Sequence, residues 1–299
     1  MTRKDDANKE LEWVACDYCG SKVTKVIYDF SLLTINKCKK CGLVYTNPRL
    51  TSRSIRERLY DEQYWKAYEK EIERSLIWIQ RFCRNWLNRL AYFADQKNQW
   101  KLAEIGPGLG LFLAEARKRG HAVYGVDTSE YAINYAKTRF GIDTIRLGTA
   151  DAIDELDWPQ MDIVVMLAAI EHLHDPLGVL RKVNTSLSHR GLLLLSTGVW
   201  GCFNQILAGR AWSIIAPEGH LYYFSKRTMR MFLERAGFRV LELETNSALV
   251  NTLTKNDFLV KLFNNRFAIR LMIPRMVQRL RLGDEMFVIA RKAMDQSSP

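Results

Sequence analysis

The chain has 299 residues, 47% of them apolar and 26% charged, enough for one large globular core or two smaller ones. Its polar start, MTRKDDANKELEW, lacks the apolar stretch of a signal peptide, and its longest apolar runs, such as MDIVVMLAAI at 161–170, are too short to span a bilayer. The cytosol is therefore the default location. The formal net charge is +11 and unevenly spread: residues 255–281 carry seven basic side chains against one acid.

The first motif along the chain is a pair of hooks, CDYCG at 16–20 and CKKCG at 38–42. Cys16-x2-Cys19, eighteen intervening residues and Cys38-x2-Cys41 have the spacing of a structural zinc site, and in a cytosolic chain that spacing points to metal rather than disulfides. Gly20 and Gly42 suit tight knuckles whose amides turn back towards sulfur. VTKVIYDF and LLTINKC between them read as short strands of a ribbon. Four thiolates leave no open coordination position, so the expected role is structural. Cys83 and Cys202 stand apart and read as buried free thiols.

Residues 72–95 place Ile72, Leu76, Ile79, Phe82, Cys83, Trp86, Leu90 and Phe93 at helical spacing, which predicts an amphipathic helix docked on a core. Tyr64 and Trp65, just before it, read either as a cover for a ligand or as packing between helices.

A βαβ unit follows at 100–127. KLAEI is a strand, Gly106-Pro-Gly108-Leu-Gly110 a glycine turn, LFLAEARKRG a helix, and HAVYGV a second strand ending at Asp127. A dinucleotide fold prefers GxGxxG, which brings a pyrophosphate to the helix N-terminus. Here the run is GxGxG with Glu104 two residues ahead of it. A carboxylate there repels a pyrophosphate but suits the amino group and sulfonium of S-adenosylmethionine. Asp127 is placed to accept hydrogen bonds from a ribose. Glu104-Ile-Gly-Pro-Gly-Leu-Gly resembles the first motif of the Rossmann-like S-adenosylmethionine methyltransferases.

The remaining elements alternate. SEYAINYAKTRFG (129–141) is a capped helix, DTIRLG a third strand, MDIVVMLAAI a fourth, PLGVLRKVNTSLSHRG (176–191) a helix, and LLLLST a fifth strand. KRTMRMFLERAG (226–237) is a helix, FRVLELET a sixth strand and GDEMFVIARK a seventh. The expected fold is α/β: a doubly wound seven-stranded sheet with helices on both faces, preceded by the zinc ribbon and a helical lid. Expected boundaries are 1–48 for the ribbon, 49–98 for the cap and 99–299 for the cofactor domain, with a basic apolar insert at about 247–282.

The loop after strand four lacks the Asn/Asp-Pro-Pro-aromatic tetrapeptide common in nucleic-acid amino-group methyltransferases. Its "EHLHDP" (171–176) resembles small-molecule methyltransferases. Paired CxxCG motifs, "GLVYTNPR" (42–49) and "LYDEQYWKAY" (59–68) are similar to the zinc-ribbon group that includes deoxysugar C-methyltransferases and surface-glycan enzymes. PEGHLYYFS (217–225) matches that group's "EHLxYFS" except that Gly219 separates Glu218 from His220. The resemblance implies a sugar, glycan or related lipid-linked or natural-product acceptor, methylated at a hydroxyl or carbon. It also implies cofactor contacts from Ala150, Asp151 and Leu167, although Asp151 reads equally well as a helix cap. Alternatives are an RNA methyltransferase with a zinc module and a non-catalytic scaffold of the same fold. The charge, concentrated in one insert, disfavours nucleic acid.

Methyl transfer to a hydroxyl or activated carbon needs a proton acceptor, and histidine is the usual one near neutral pH. His121 and His189 precede strands and are expected at the surface. His220 is the expected acceptor-side base, oriented by Glu218, with a structural hydrogen bond as its other reading. His172 is the second candidate, or else a wall of the cofactor pocket. The insert, NDFLVKLFNNRFAIRLMIPRMVQRLRLG, reads either as a membrane-facing lid or as a cap with a solvated basic face.

Overall fold

The computed structural model describes residues 10–59, 62–246 and 283–293. The basic insert lies outside the described residues, and so do both readings of it.

The first layer is the ribbon. Strands β1 (Leu11–Glu12) and β5 (Arg49–Leu50) pair with each other, while β2 (Thr24–Phe30), β3 (Leu33–Cys38) and β4 (Val44–Thr46) form an antiparallel meander. Its fourth strand comes from far along the chain: β11 (Tyr222–Tyr223) pairs with β4, Tyr222 opposite Tyr45 and Tyr223 opposite Val44. The ribbon is thus not closed within 1–48, because its sheet runs β11-β4-β3-β2.

Two helices link ribbon to core, α1 (Ser52–Leu59) and α2 (Glu62–Phe93). The apolar stripe expected for α2 is present, with Ile72, Cys83, Trp86 and Leu90 buried. Ile77 and Trp78 stay exposed on the other side. The helix begins ten residues before the stripe, at Glu62, which carries Trp65 and Tyr68 onto the same rod. At 32 residues it is about 48 Å long.

The main sheet holds β6 (Lys101–Ile105), β7 (Ala122–Asp127), β8 (Ile145–Leu147), β9 (Met161–Leu167), β10 (Leu187–Gly198), β12 (Phe238–Asn246) and β13 (Glu285–Lys292) in the order β12-β13-β10-β9-β6-β7-β8. β6 to β10 pair in parallel, and β13 runs antiparallel to both neighbours. Two-residue periodicity divides the central strands between two cores. Val164, Met166, Leu193 and Leu195 enter one, and Ile163, Val165, Leu192 and Leu194 the other. Helices α2 and α3 (Leu111–Lys118) cover the second core. Helices α5 (Pro176–Ser186) and α7 (Lys226–Arg235), with the ribbon, cover the first. Between these, α4 (Glu130–Phe140) is capped by the Ser129 side chain and ends at left-handed Gly141, and α6 (Phe203–Ala208) follows β10.

The boundary between α5 and β10 also differs from expectation. α5 stops at Ser186 and β10 starts at Leu187, paired with Met161, before a register shift at Leu192. His189 is thus an exposed residue within a strand. His121 is half-buried instead of exposed, its ring stacked on Trp100 at 4.4 Å.

Candidate active site

Both candidate centres lie at the carboxyl ends of the parallel strands, where ligands bind in open α/β sheets. Gly106, Gly108 and Gly110 have φ of 67°, 51° and 76°, a left-handed conformation that favours glycine; Gly106 N donates to the Val126 carbonyl and Gly110 N to the Pro107 carbonyl, both at 2.9 Å. Gly108 N donates to Asp127 Oδ2 at 2.9 Å, and Ser129 N donates to Asp127 Oδ1 at 2.9 Å. Asp127 therefore ties the glycine turn to the start of α4. Gly110 has a second constraint, since a Cβ there would lie 2.8 Å from Ala136 Cβ. We expect Gly110→Ala to destabilise the fold by about 2–4 kcal/mol, from left-handed strain plus overpacking, read as a lower denaturant midpoint.

Glu104 is the next-to-last residue of β6 and is only 3% exposed. Its Oε2 is buried with no hydrogen-bond partner. Burial pushes its carboxyl up to about 8, and the charge of Asp127 adds to the shift. An acid this costly to ionise fits a cationic group that would neutralise it. Trp65 covers the turn from above: a Cβ on Gly108 would touch its ring at 3.4 Å. Tyr64 and Tyr68 meet Trp65 edge-on at 5.3 and 5.8 Å. Trp65 packs both on the glycine turn, against Leu109, and on the neighbouring helix α4, against Ala132.

Ala150 and Asp151 open a 3-10 turn after β8. Gly148 N donates to the Asp127 carbonyl at 2.9 Å, which keeps that turn beside Asp127. Asp151 is exposed, and the turn is headed by Thr149 without a side-chain cap bond, so the cap reading of Asp151 is not what is found. Leu167 ends β9. Beyond it Ala168, at φ 46°, is held by Ser196, and a Cβ on Gly106 would meet Ala169 Cβ at 3.4 Å. The loop after β9 thus leans directly on the glycine turn.

That loop carries Glu171 and His172 on a 3-10 turn, and it faces His220 from the segment between α6 and β11. The two imidazoles are 4.9 Å apart, nearly edge to face. His172 Nδ1 donates to the Gly219 carbonyl at 2.8 Å, and His220 Nδ1 donates to the Ile214 carbonyl at 2.7 Å. A carbonyl only accepts, so each Nδ1 holds a proton, which in the neutral ring leaves the lone pair on Nε2. Burial, then the charge of His172, lowers the pKa of His220.

Glu218 does not orient His220. It is exposed, and the Ile214 carbonyl occupies the orienting position, because Gly219 turns the chain between the two residues. The carboxylate that accompanies the pair is Glu171, 4% exposed, with Oε2 lacking a hydrogen-bond partner. Its charge acts on His220. Glu171 stood in the sequence beside His172, where an acid after an apolar strand looks like an ordinary loop residue. Glu285, at the start of β13, is a second acid that sequence reasoning missed. Burial pushes it up to about 7, with Glu171 and Asp284 adding and a hydrogen bond to Ser196 opposing. Tyr223 and Trp200 complete an aromatic wall, their rings 5.9 Å apart.

The ribbon grips the segment around His220. Thr46 N donates to the Leu221 carbonyl and Thr46 Oγ1 to the His220 carbonyl, both at 2.9 Å. Arg49 Nη1 donates to Tyr222 Oη at 2.9 Å, and His174 Nε2 to the Leu50 carbonyl at 3.0 Å.

At the ribbon's far end the four cysteines converge. Cys16 and Cys41 sulfurs are 3.4 Å apart, Cys19 and Cys38 3.6 Å, and all four lie within 4.8 Å of one another. These separations exceed a disulfide and approach the edge of a zinc tetrathiolate, about 3.8 Å for Zn–S near 2.3 Å. Gly20 N and Gly42 N donate back to the Cys16 and Cys38 carbonyls, closing the knuckles. A cleft of about 330 Å³ beside Cys38 and Cys41 is lined by Lys25, Lys37, Lys39, Lys40 and Arg227. Four thiolates around one dication would leave two negative charges, which these cations offset.

Comparison with known proteins agrees with this layout. The methyltransferase domain family matches residues 76–243. Ubiquinone biosynthesis O-methyltransferases are similar over part of their length. That of Stutzerimonas stutzeri is 29% identical over 138 residues, 45% of this chain and 56% of the relative. That of Ruegeria pomeroyi is 33% identical over 101 residues, 32% of this chain and 40% of the relative. The chain thus spans about half the length of these curated relatives. A SAM-dependent methyltransferase from Archaeoglobus fulgidus superposes with a TM-score of 0.53 at 19% identity, covering 77% of this chain and all of the other, a likeness of fold. Among the described residues no helix is long and apolar enough to cross a membrane.

Proposed function

The chain belongs to the methyltransferase domain family, and from that premise we propose that it transfers a methyl group from S-adenosylmethionine to a small-molecule acceptor: a sugar, a glycan residue or a related natural-product or lipid-linked compound, at a hydroxyl or an activated carbon. The observation that carries this reading is Glu104, a buried carboxylate with an orphaned oxygen at the mouth of a GxGxG turn. S-adenosylmethionine supplies the electrophilic methyl on its sulfonium.

The chain's own residues bind, align and shield. Glu104 neutralises the cofactor's positive end, Asp127 holds the Gly108 amide in place and accepts from the ribose, and the turn at Ala150 and Asp151, with Leu167, borders the adenine. Trp65 excludes water from above. His172 and His220, with Nε2 lone pairs on the acceptor side, promote loss of the acceptor's proton. The aromatic rings of Trp200 and Tyr223, beside the carboxylates Glu171 and Glu285, suit the apolar faces and hydroxyl edges of a sugar. The name carried by the partial relatives, an O-methyltransferase, supports a hydroxyl as the acceptor atom. At the ribbon, Cys16, Cys19, Cys38 and Cys41 hold a structural zinc ion.

The test is calorimetry with S-adenosylmethionine, which also reads the pH linkage. The cofactor-free Glu104 carboxyl titrates near 8, above its unfolded value of 4.5. The folded, cofactor-free protein therefore binds the extra proton between these values, and its stability falls as pH rises through that window. A cation needs the ionised form, so binding at pH 7 should release close to one proton and tighten as pH rises towards 8. Binding enthalpy measured in buffers of different ionisation enthalpy gives that number directly. Absence of binding would favour a non-catalytic scaffold, and binding without proton release would remove Glu104 from the cofactor's positive end.

A further inference from the structure

We propose that Glu171, His172 and His220 form a second metal site, taking one divalent first-row transition-metal ion with coordination positions left open to an acceptor oxygen. The inference rests on the methyl-transfer reading for the identity of the bound oxygen compound, and on geometry for the ion.

Each residue of the trio offers one ligand atom, and these atoms lie within 4.8 Å of one another. Three donors at about 2.1 Å from an ion sit roughly 3.4 Å apart, so the trio needs to close by no more than about 1.4 Å to meet an ion. Both imidazoles have the outer-shell arrangement that prepares a ligand: Nδ1–H is donated to a carbonyl, at Gly219 and Ile214, which fixes the ring and places the lone pair on Nε2. The Glu171 side chain is more than nine-tenths buried, and its Oε2 has no hydrogen-bond partner. A buried, unpartnered carboxylate oxygen beside two imidazoles is costly unless a cation completes it.

The trio is also rigid. Glu171 O accepts from Leu221 N at 2.7 Å, so the two segments that supply the ligands are bonded to each other. Two histidines and one carboxylate match the borderline preference of Zn²⁺, Mn²⁺, Co²⁺ or Fe²⁺, and three protein ligands leave room for a fourth, exogenous donor. This set differs in kind from the cysteine site, which offers four sulfurs and no vacancy.

With the ion in place, an acceptor hydroxyl binds through oxygen and becomes more acidic. Its proton passes to water. The oxygen then forms a bond to the sulfonium methyl carbon, and the carbon–sulfur bond breaks with its electron pair left on sulfur. The products are the methyl ether and the neutral thioether. His172 and His220 serve as ligands in this state, and the ion lowers the barrier to deprotonation.

The experiment is equilibrium dialysis of the full chain against Zn²⁺ and, separately, Co²⁺, with metal counted by plasma mass spectrometry. The wild type should hold a second equivalent beyond the one at the cysteines. Glu171→Gln and His220→Ala should lose only that second equivalent, and their retained zinc reports an intact ribbon. The Co²⁺ spectrum decides the matter without any variant, because the second equivalent must bind without adding thiolate charge-transfer intensity. A wild type that binds S-adenosylmethionine yet holds one metal equivalent overturns this inference and leaves the methyl-transfer reading standing. A second equivalent that persists in Glu171→Gln/His220→Ala overturns the assignment to these residues. Failure to bind the cofactor, with the second equivalent present, counts against the methyl-transfer reading alone.

Discussion

Serine at position 38 should strip the proposed zinc and lower the unfolding free energy by at least about 3 kcal/mol, because in small metal modules the binding energy is folding energy. The loss should travel in one direction. β3 ends at Cys38, β4 pairs with β3, and β11 pairs with β4, so the strand that follows His220 depends on the ribbon. Amide exchange should therefore quicken at 44–46 and 220–223, and methyl transfer should fall. Glu104 and Asp127 sit on β6 and β7 and make none of these contacts, so affinity for S-adenosylmethionine should stay within about threefold. Unchanged zinc content and unchanged thermal stability in Cys38→Ser would sink the structural role assigned to the cysteines.

Glu104→Gln should do the opposite. On the proposed reading, removing the buried negative charge deletes the partner of the cofactor's cationic end, at a site where water cannot screen it. Affinity for S-adenosylmethionine should fall by about 10²–10³-fold, close to 3–4 kcal/mol. The cofactor-free protein should be as stable as the wild type or more so above pH 8, because glutamine no longer has to hold a charge in an apolar pocket. Loss of affinity with a raised melting temperature separates this effect from unfolding. Wild-type affinity in Glu104→Gln would contradict the role given to the carboxylate.

Much of this arrangement was legible before any coordinates. The glycine turn declared itself because GxGxG and its flanking acids lie within one βαβ unit, where spacing along the chain is nearly spacing in space. Apolar runs such as MDIVVML and LLLLS were readable as strands covered on both faces. The cysteine hooks carried their own geometry in their spacing. What failed to show were features created by long-range contact. Two tyrosines carry no periodicity, so nothing marked Tyr222–Tyr223 as a ribbon strand. The helix start at Glu62 was hidden because its first turns face the glycine loop, and an apolar stripe marks only the part against the main core. Glu218 looked like the natural partner of His220 because sequence proximity was the only guide. Folding instead set Glu171 beside it, from a different strand end.

The pairing of β4 with β11 has a consequence for synthesis. Thr46 and His220, bonded across it, are 174 residues apart. While the chain emerges from the ribosome, the cysteine module must wait with one flank of backbone unpaired, an open edge of the kind that invites association with other chains. Its thiols can collect the proposed ion early, but the module reaches its final form only when the last third of the protein arrives to cover that edge. An expression fragment ending before residue 222 would keep the edge permanently bare, and one beginning after residue 50 would leave two tyrosines with no strand to join.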